Sequence, residues 1–145
     1  MKKYASTIEF LSRYVEACKR FDYLTDKRAE KMQGAIYKGP QIGGTGPGKN
    51  YTRKDRIAAA LASVEMIDNA IAETVTVMCE SLAEIESAIK NSGLDYSEML
   101  VVEWRYINGA SWEKIATETG FSSSHCFSLH GKGIEKIAIA MSQTE

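Results

Sequence analysis

The sequence predicts an all-α protein, in which a long antiparallel helical hairpin is followed by a C-terminal helix-turn-helix unit. Three observations support this prediction. Apolar residues recur at steps of four and three over long stretches, which is the spacing of one helix face. Only two prolines occur in 145 residues, and both fall within residues 38–52. Towards the C-terminus, glycines and serines recur at the intervals at which short helices end and begin.

The first predicted helix covers residues 5–37 and forms one side of the hairpin. Its apolar positions share one helix face and are Tyr4, Ile8, Leu11, Val15 and Cys18. Residues 38–52 follow with five glycines and both prolines, a composition that cannot sustain a helix. We interpret them as a flexible connection to the second side of the hairpin.

The second predicted helix covers residues 57–89 and has the clearest periodicity in the chain. The seam positions step by four and three and are Ile57, Leu61, Val64, Asp68, Ile71, Val75, Met78, Leu82, Ile85 and Ile89. Such a repeat is long enough for a coiled coil. Asp68 either lies in the seam, where it would set register, or lies on its flank, with Ile67 in its place. The hairpin with residues 5–37 is the favoured pairing, and homo-oligomer formation through the same helical arm is compatible with it.

The C-terminal part contains three shorter predicted helices, at 96–108, at 112–119 and after Ser122. Asp95 with Glu98 is a capping-box pattern, while Ser111 and Ser122 are suited to cap the two helices that follow them. Asn91-Ser92-Gly93 separates this part from the hairpin. We therefore predict two domains, a helical arm at 1–91 and a helix-turn-helix domain at 92–145.

The last two helices, joined by Gly120-Phe121-Ser122, form a helix-turn-helix pattern. The glycine permits a sharp turn, and the residues expected to face inward are Ile115, Ala116, Phe121, Cys126 and Leu129. The first turns of the last helix are then free to enter a major groove. Its outward-facing candidates are Ser123, Ser124, His125, Phe127 and Ser128, following the cap at Ser122.

The stretch EWRYINGASWEKIATETGFSSSHCFSLHGKGIEKI, residues 103–137, resembles region four of sigma factors. The matching positions are Arg105-Tyr106, Gly109, Ser111, Ile115-Ala116, Gly120 and Ser122. The order of a helical N-terminal part, a Gly/Pro-rich break, a long heptad helix and this unit resembles phage late-gene regulators of the ArpU and RinA type. The resemblance implies binding of double-stranded DNA, with Ser123, Ser124, His125 and Ser128 near bases. It also implies that Lys132 and Lys136 lie near phosphates.

Charge is distributed unevenly along the chain. Residues 90–145 carry five basic and seven acidic side chains, whereas residues 38–56 carry five basic and one acidic. A DNA-binding module normally presents a basic face, so the terminal unit alone is expected to bind weakly. Arg53, Lys54 and Arg56 are candidates to supply the missing phosphate contacts. Several copies in one oligomer, or RNA polymerase as a partner, would also strengthen binding.

Other function classes find little support in the sequence. Residues 43–50 nearly match a phosphate-binding loop, but Asn50 replaces the hydroxyl residue and no strand pattern precedes it. His125 and His130 are five residues apart, which does not suit a metal pair on one helix face. We therefore expect no enzyme activity, no cofactor and no metal. The absence of a signal core, of a long apolar run and of a cysteine framework predicts a cytoplasmic protein without a membrane partner.

Two alternatives remain open. The acidic, serine-rich terminal unit is compatible with a protein-interaction module that contacts RNA polymerase without reading DNA. A small terminase subunit, which recognises viral DNA for packaging, also combines a helix-turn-helix with long helices. Its DNA-binding unit usually comes first in the chain, and ring-sized oligomers would favour this class.

Overall fold

A computed structural model describes residues 4–37 and 52–143 and confirms the all-α fold. Its helices are α1 (Ala5–Tyr37), α2 (Arg53–Asn91), α3 (Tyr96–Tyr106), α4 (Trp112–Thr119) and α5 (Ser123–Gln143). No strand occurs within these residues. Within the same ranges, no helix has the length and apolarity to cross a bilayer.

The second helix begins four residues earlier than the predicted start at residue 57. Thr52 and Asp55 explain the difference, because they form a reciprocal cap. The Thr52 hydroxyl and backbone N–H donate to Asp55 Oδ2 at 2.8 and 3.2 Å, and the Asp55 N–H donates to Thr52 Oγ1 at 3.2 Å. Arg53, Lys54 and Arg56 therefore belong to the first helical turn. Apart from Thr52, the connection predicted at 38–52 lies outside the described residues, as does the loop-like run at 43–50.

The buried face of α2 follows the predicted period but is rotated towards one flank. Val64, Thr74, Ser81 and Ile85 are buried, whereas Leu61 is 53% exposed and Val75 is 39% exposed. Asp68 is exposed and Ile67 is partly buried, so the flank alternative is the correct one. Thr74 and Ser81 tolerate burial because their hydroxyls donate to the carbonyls of Ala70 and Val77, at 2.7 and 2.6 Å.

The chain forms two compact units, each containing segments of both α1 and α2. Unit 1 comprises residues 1–18 and 77–145, and unit 2 comprises residues 19–76. The domain boundary predicted after residue 91 stays a prediction. In unit 1 the first turns of α1 pack against the last turns of α2, which gives the hairpin its antiparallel direction. Its largest core cluster contains Leu11, Ile85, Ile89, Val102, Tyr106, Ile134 and Ile137.

Unit 2 contains the second half of α1 and the first half of α2. Leu24 and Val64 are buried in it at 7% and 4% exposure. On its surface, Arg28 Nε lies 2.6 Å from Asp68 Oδ1. The flanking position of Asp68 therefore provides an ion pair between the two helices and not a polar residue within their seam.

Candidate nucleic-acid interface

The predicted helix-turn-helix is present, and each of its boundaries has a local cause. Ser111 caps α4 by accepting a hydrogen bond from the Lys114 N–H at 3.2 Å. Gly120 ends α4 with a φ of 78°, and its N–H donates to the Ala116 carbonyl at 3.0 Å. A residue with a Cβ would be strained in this left-handed conformation. Ser122 then caps α5 by accepting from the His125 N–H at 3.2 Å.

A small core fixes the angle between the helices of this motif. Its buried members are Val101, Ala110, Ile115, Cys126 and Leu129, with Trp104, Trp112, Ala116 and Phe121 packed against them. All five inward-facing residues predicted from the sequence belong to this cluster. Cys126 is 1% exposed and Leu129 is 7% exposed, so the first turns of α5 are anchored on one side.

The opposite side of the same turns is open to solvent. All six N-terminal candidates on and next to α5 are exposed: Ser122, Ser123, Ser124, His125, Phe127 and Ser128. Within the described part of the chain, the hydroxyls of Ser123, Ser124 and Ser128 form no hydrogen bond, whereas that of Thr119 donates to the Ile115 carbonyl at 2.6 Å. The exposed serines therefore keep their hydrogen-bonding capacity for a ligand.

Aromatic contacts hold two of these exposed side chains in place. The His125 and Phe121 rings pack in a T-shaped arrangement, with 5.0 Å between ring centroids. Phe127 is 51% exposed and packs on Trp112 at 4.7 Å. Trp112 also stacks under the Arg105 guanidinium, whose carbon lies 4.6 Å from the ring centroid. Arg105, one of the positions that match the sigma-factor pattern, contacts Trp112 from α3, a contact that the pattern does not predict.

His130 lies on the buried side of α5 and is part of the fold. The Tyr106 hydroxyl and His130 Nε2 share a hydrogen bond of 2.7 Å. Burial lowers the pKa of His130 to about 4, with the nearby Arg105 charge acting in the same direction. Burial also raises the pKa of Tyr106 to about 12. Both groups are therefore neutral at pH 7.

The two predicted phosphate-contacting lysines of α5 lie in different surroundings. Lys132 is exposed, whereas Lys136 Nζ donates to Glu98 Oε1 at 2.6 Å and lies 3.8 Å from Asp95 Oδ1. Glu98 is 1% exposed and also accepts the Asp95 backbone N–H at 2.9 Å. Burial alone would raise the pKa of Glu98, but these hydrogen bonds and the charges of Lys136 and Lys132 lower it overall. The charge of Lys136 is thus already compensated within unit 1.

The remaining candidates, Arg53, Lys54 and Arg56, lie in unit 2 and not among the exposed residues of α5. Arg53 and Lys54 are exposed, and Arg56 is partly buried. These basic residues of α2 thus belong to a different unit from the candidate base-facing side chains of α5.

No protein-family model matches the chain, and it matches neither a curated protein nor a solved structure.

Proposed function

We propose that the chain is a DNA-binding transcriptional regulator of a phage or prophage, which reads a major groove with the first turns of α5. The strongest support for DNA reading comes from the start of α5. A well-anchored helix, capped by Ser122 and fixed by Cys126 and Leu129, presents a continuous exposed set of hydrogen-bonding side chains at its N-terminus. This is the arrangement by which recognition helices contact base edges.

The chemistry of the exposed set suits direct reading of bases. Serine hydroxyls both donate and accept hydrogen bonds, and the histidine ring can do either. Phe127 offers an apolar surface of the kind that contacts a thymine methyl group. The resemblance to ArpU- and RinA-type regulators supports a role as a late-gene activator. Lys132 would contact a phosphate directly. Lys136 would do so only if its ion pair with Glu98 opens.

Self-association through the helical arm is part of the proposal. The terminal unit carries few basic groups, so two or more copies on one DNA would raise the affinity. The exposed apolar side chains of α2 support this idea: Leu61, Met66 and Val75 are 53%, 75% and 39% exposed. RNA polymerase is the second proposed partner.

Replacing Ser124 and His125 together with alanine tests the recognition surface. Both side chains are exposed, so helicity should be unchanged, whereas sequence preference should be lost. Loss of a good base contact costs about 1–3 kcal/mol of discrimination. Competition between a selected site and random duplex DNA, measured by fluorescence anisotropy, would show the loss.

A matched control replaces Ser142 and Gln143, which are exposed at the other end of α5. This variant should keep the preference of the unmodified chain. If the Ser124/His125 variant also keeps its preference, α5 does not read the DNA as proposed.

A second candidate function is a protein-interaction module that contacts RNA polymerase without reading DNA. The exposed Phe127, supported by Trp112, favours it, because half-exposed aromatic side chains are typical anchors of protein interfaces. A complex with polymerase that survives high salt, together with no retention on DNA, would support this alternative.

A further inference from the structure

The end of the hairpin in unit 2 contains a groove of about 470 Å³ between α1 and α2. Small residues make up much of its lining: Gly34, Ala35, Ala59, Ala60 and Ser63. The charged side chains around them are Lys27, Lys31 and Arg56, with Glu30 as the only carboxylate in that set. Three cationic side chains therefore line a groove whose other lining residues, apart from Glu30, are small.

The positive charge of this groove is poorly compensated. Lys27 Nζ is 3.8 Å from Glu30 Oε2, and both side chains are largely exposed to water. Lys31 and Arg56 form no ion pair with any described residue. Arg28, by contrast, is held by Asp68 at 2.6 Å on the surface of the same unit. Lys27 and Lys31, four residues apart on one helix, repel each other, which opposes folding slightly.

The sequence next to the groove adds positive charge and little compensation. Arg53 and Lys54 are exposed in the first turn of α2, where Asp55 supplies one negative charge against three basic side chains. Residues 38–51, which lie outside the described part, contain Lys38 and Lys49 but no aspartate or glutamate.

We propose that Lys27, Lys31 and Arg56 bind the phosphate backbone of double-stranded DNA in this groove, without reading sequence. The proposal rests on the proposed function in that DNA is the partner. Lysine and arginine side chains neutralise phosphates, and arginine can bond two phosphate oxygens at once. Phosphate contacts supply affinity while base contacts supply specificity. The groove would thus provide the affinity that the acidic terminal unit lacks.

The experiment measures how the affinity of the full chain for random-sequence duplex DNA depends on salt. Each phosphate contact contributes about one unit to the slope of log affinity against log salt concentration. In a variant with Lys27→Gln, Lys31→Gln and Arg56→Gln, the slope should fall by about two to three units. The control variant carries Lys19→Gln, Arg20→Gln and Lys90→Gln, which remove the same charge from exposed sites outside the groove lining.

The inference is overturned if the groove variant and the control variant have the same slope, or if the unmodified chain does not bind random DNA at about 50 mM salt. A charge-preserving variant, Lys27→Arg with Lys31→Arg and Arg56→Lys, should retain the full slope. This result would separate lost charge from lost folding. The slope on random DNA reports on the groove, and the preference for a selected site reports on α5, so failure of the groove and failure of sequence reading are distinguishable.

Discussion

Ionisable side chains are buried and hydrogen-bonded in the helix-turn-helix part of unit 1, whereas those at the groove of unit 2 are more open to solvent. In unit 1, Glu98 is buried and bonded to Lys136 at 2.6 Å, and His130 is buried and bonded to Tyr106 at 2.7 Å. In unit 2, Lys31 and Arg56 line an open groove and form no ion pair with any described residue. The titratable groups of α3 and α5 thus mainly stabilise the fold, whereas those of the groove are available to a partner.

The largest expected effect is a loss of stability in unit 1 when the pH is lowered. Folding lowers the pKa of His130 from 6.5 to about 4, so its contribution to stability is complete above pH 6.5 and is lost as the pH falls towards 4. We expect unit 1 to lose roughly 2 kcal/mol by pH 5. Urea unfolding followed by tryptophan fluorescence would measure it. Both tryptophans lie in unit 1, and Trp112 lies edge-on to His130 at 4.9 Å.

Two histidine variants provide the controls for this pH dependence. His125→Ala removes an exposed histidine and should leave the loss of stability unchanged. His130→Gln removes the buried titrating group and should flatten the dependence between pH 6.5 and 5. The same pH dependence in His130→Gln and in the unmodified chain would contradict the account. Below pH 4.5 protonation of Glu98 adds a further loss, because its folded-state pKa is lowered.

Replacing a glycine with alanine should have smaller effects on stability, of opposite sign in the two units. A Cβ at Gly133 would lie 2.9 Å from Val102 Cγ2 on α3, so either the Val102 side chain or the helix backbone would have to shift. A Cβ at Gly34 would meet nothing within 4 Å. Gly133→Ala should therefore cost about 1–2 kcal/mol, the penalty of overpacking less the gain in helix propensity. Gly34→Ala should stabilise by up to about 1 kcal/mol.

Urea unfolding curves of the two glycine variants would test the difference, with the unmodified chain as reference. Equal shifts of the unfolding midpoint in the same direction would contradict the claim that the contact with Val102 requires a glycine at position 133.

Most of the helical architecture could be predicted from local signals. The bounds of α1 and α4 agree with the prediction, because apolar periodicity and the Ser111 and Gly120 caps act within a few residues. The same kind of signal at Thr52 and Asp55 marks the true start of α2, four residues before the first position of the apolar repeat. Periodicity could not decide which flank of α2 is buried, because Thr74 and Ser81 satisfy their own hydroxyls within the helix.

The polar contacts between helices could not be found in this way. Tyr106 and His130 are 24 residues apart, and Glu98 and Lys136 are 38 apart. Nothing local links such pairs before the packing of α3 on α5 is known. The exposed set at the start of α5 was predictable, because one cap, one turn and the helical period determine which side chains point outward.

The most direct test of the central claim is a selection of source-genome DNA fragments on the purified full chain, at about 50 and 150 mM salt. Salt must be varied because binding that rests on phosphate contacts alone falls steeply with ionic strength. Sequence reading by α5 predicts a short enriched motif that persists at the higher salt. Enrichment at neither salt would contradict sequence reading by α5 and would favour the protein-interaction alternative.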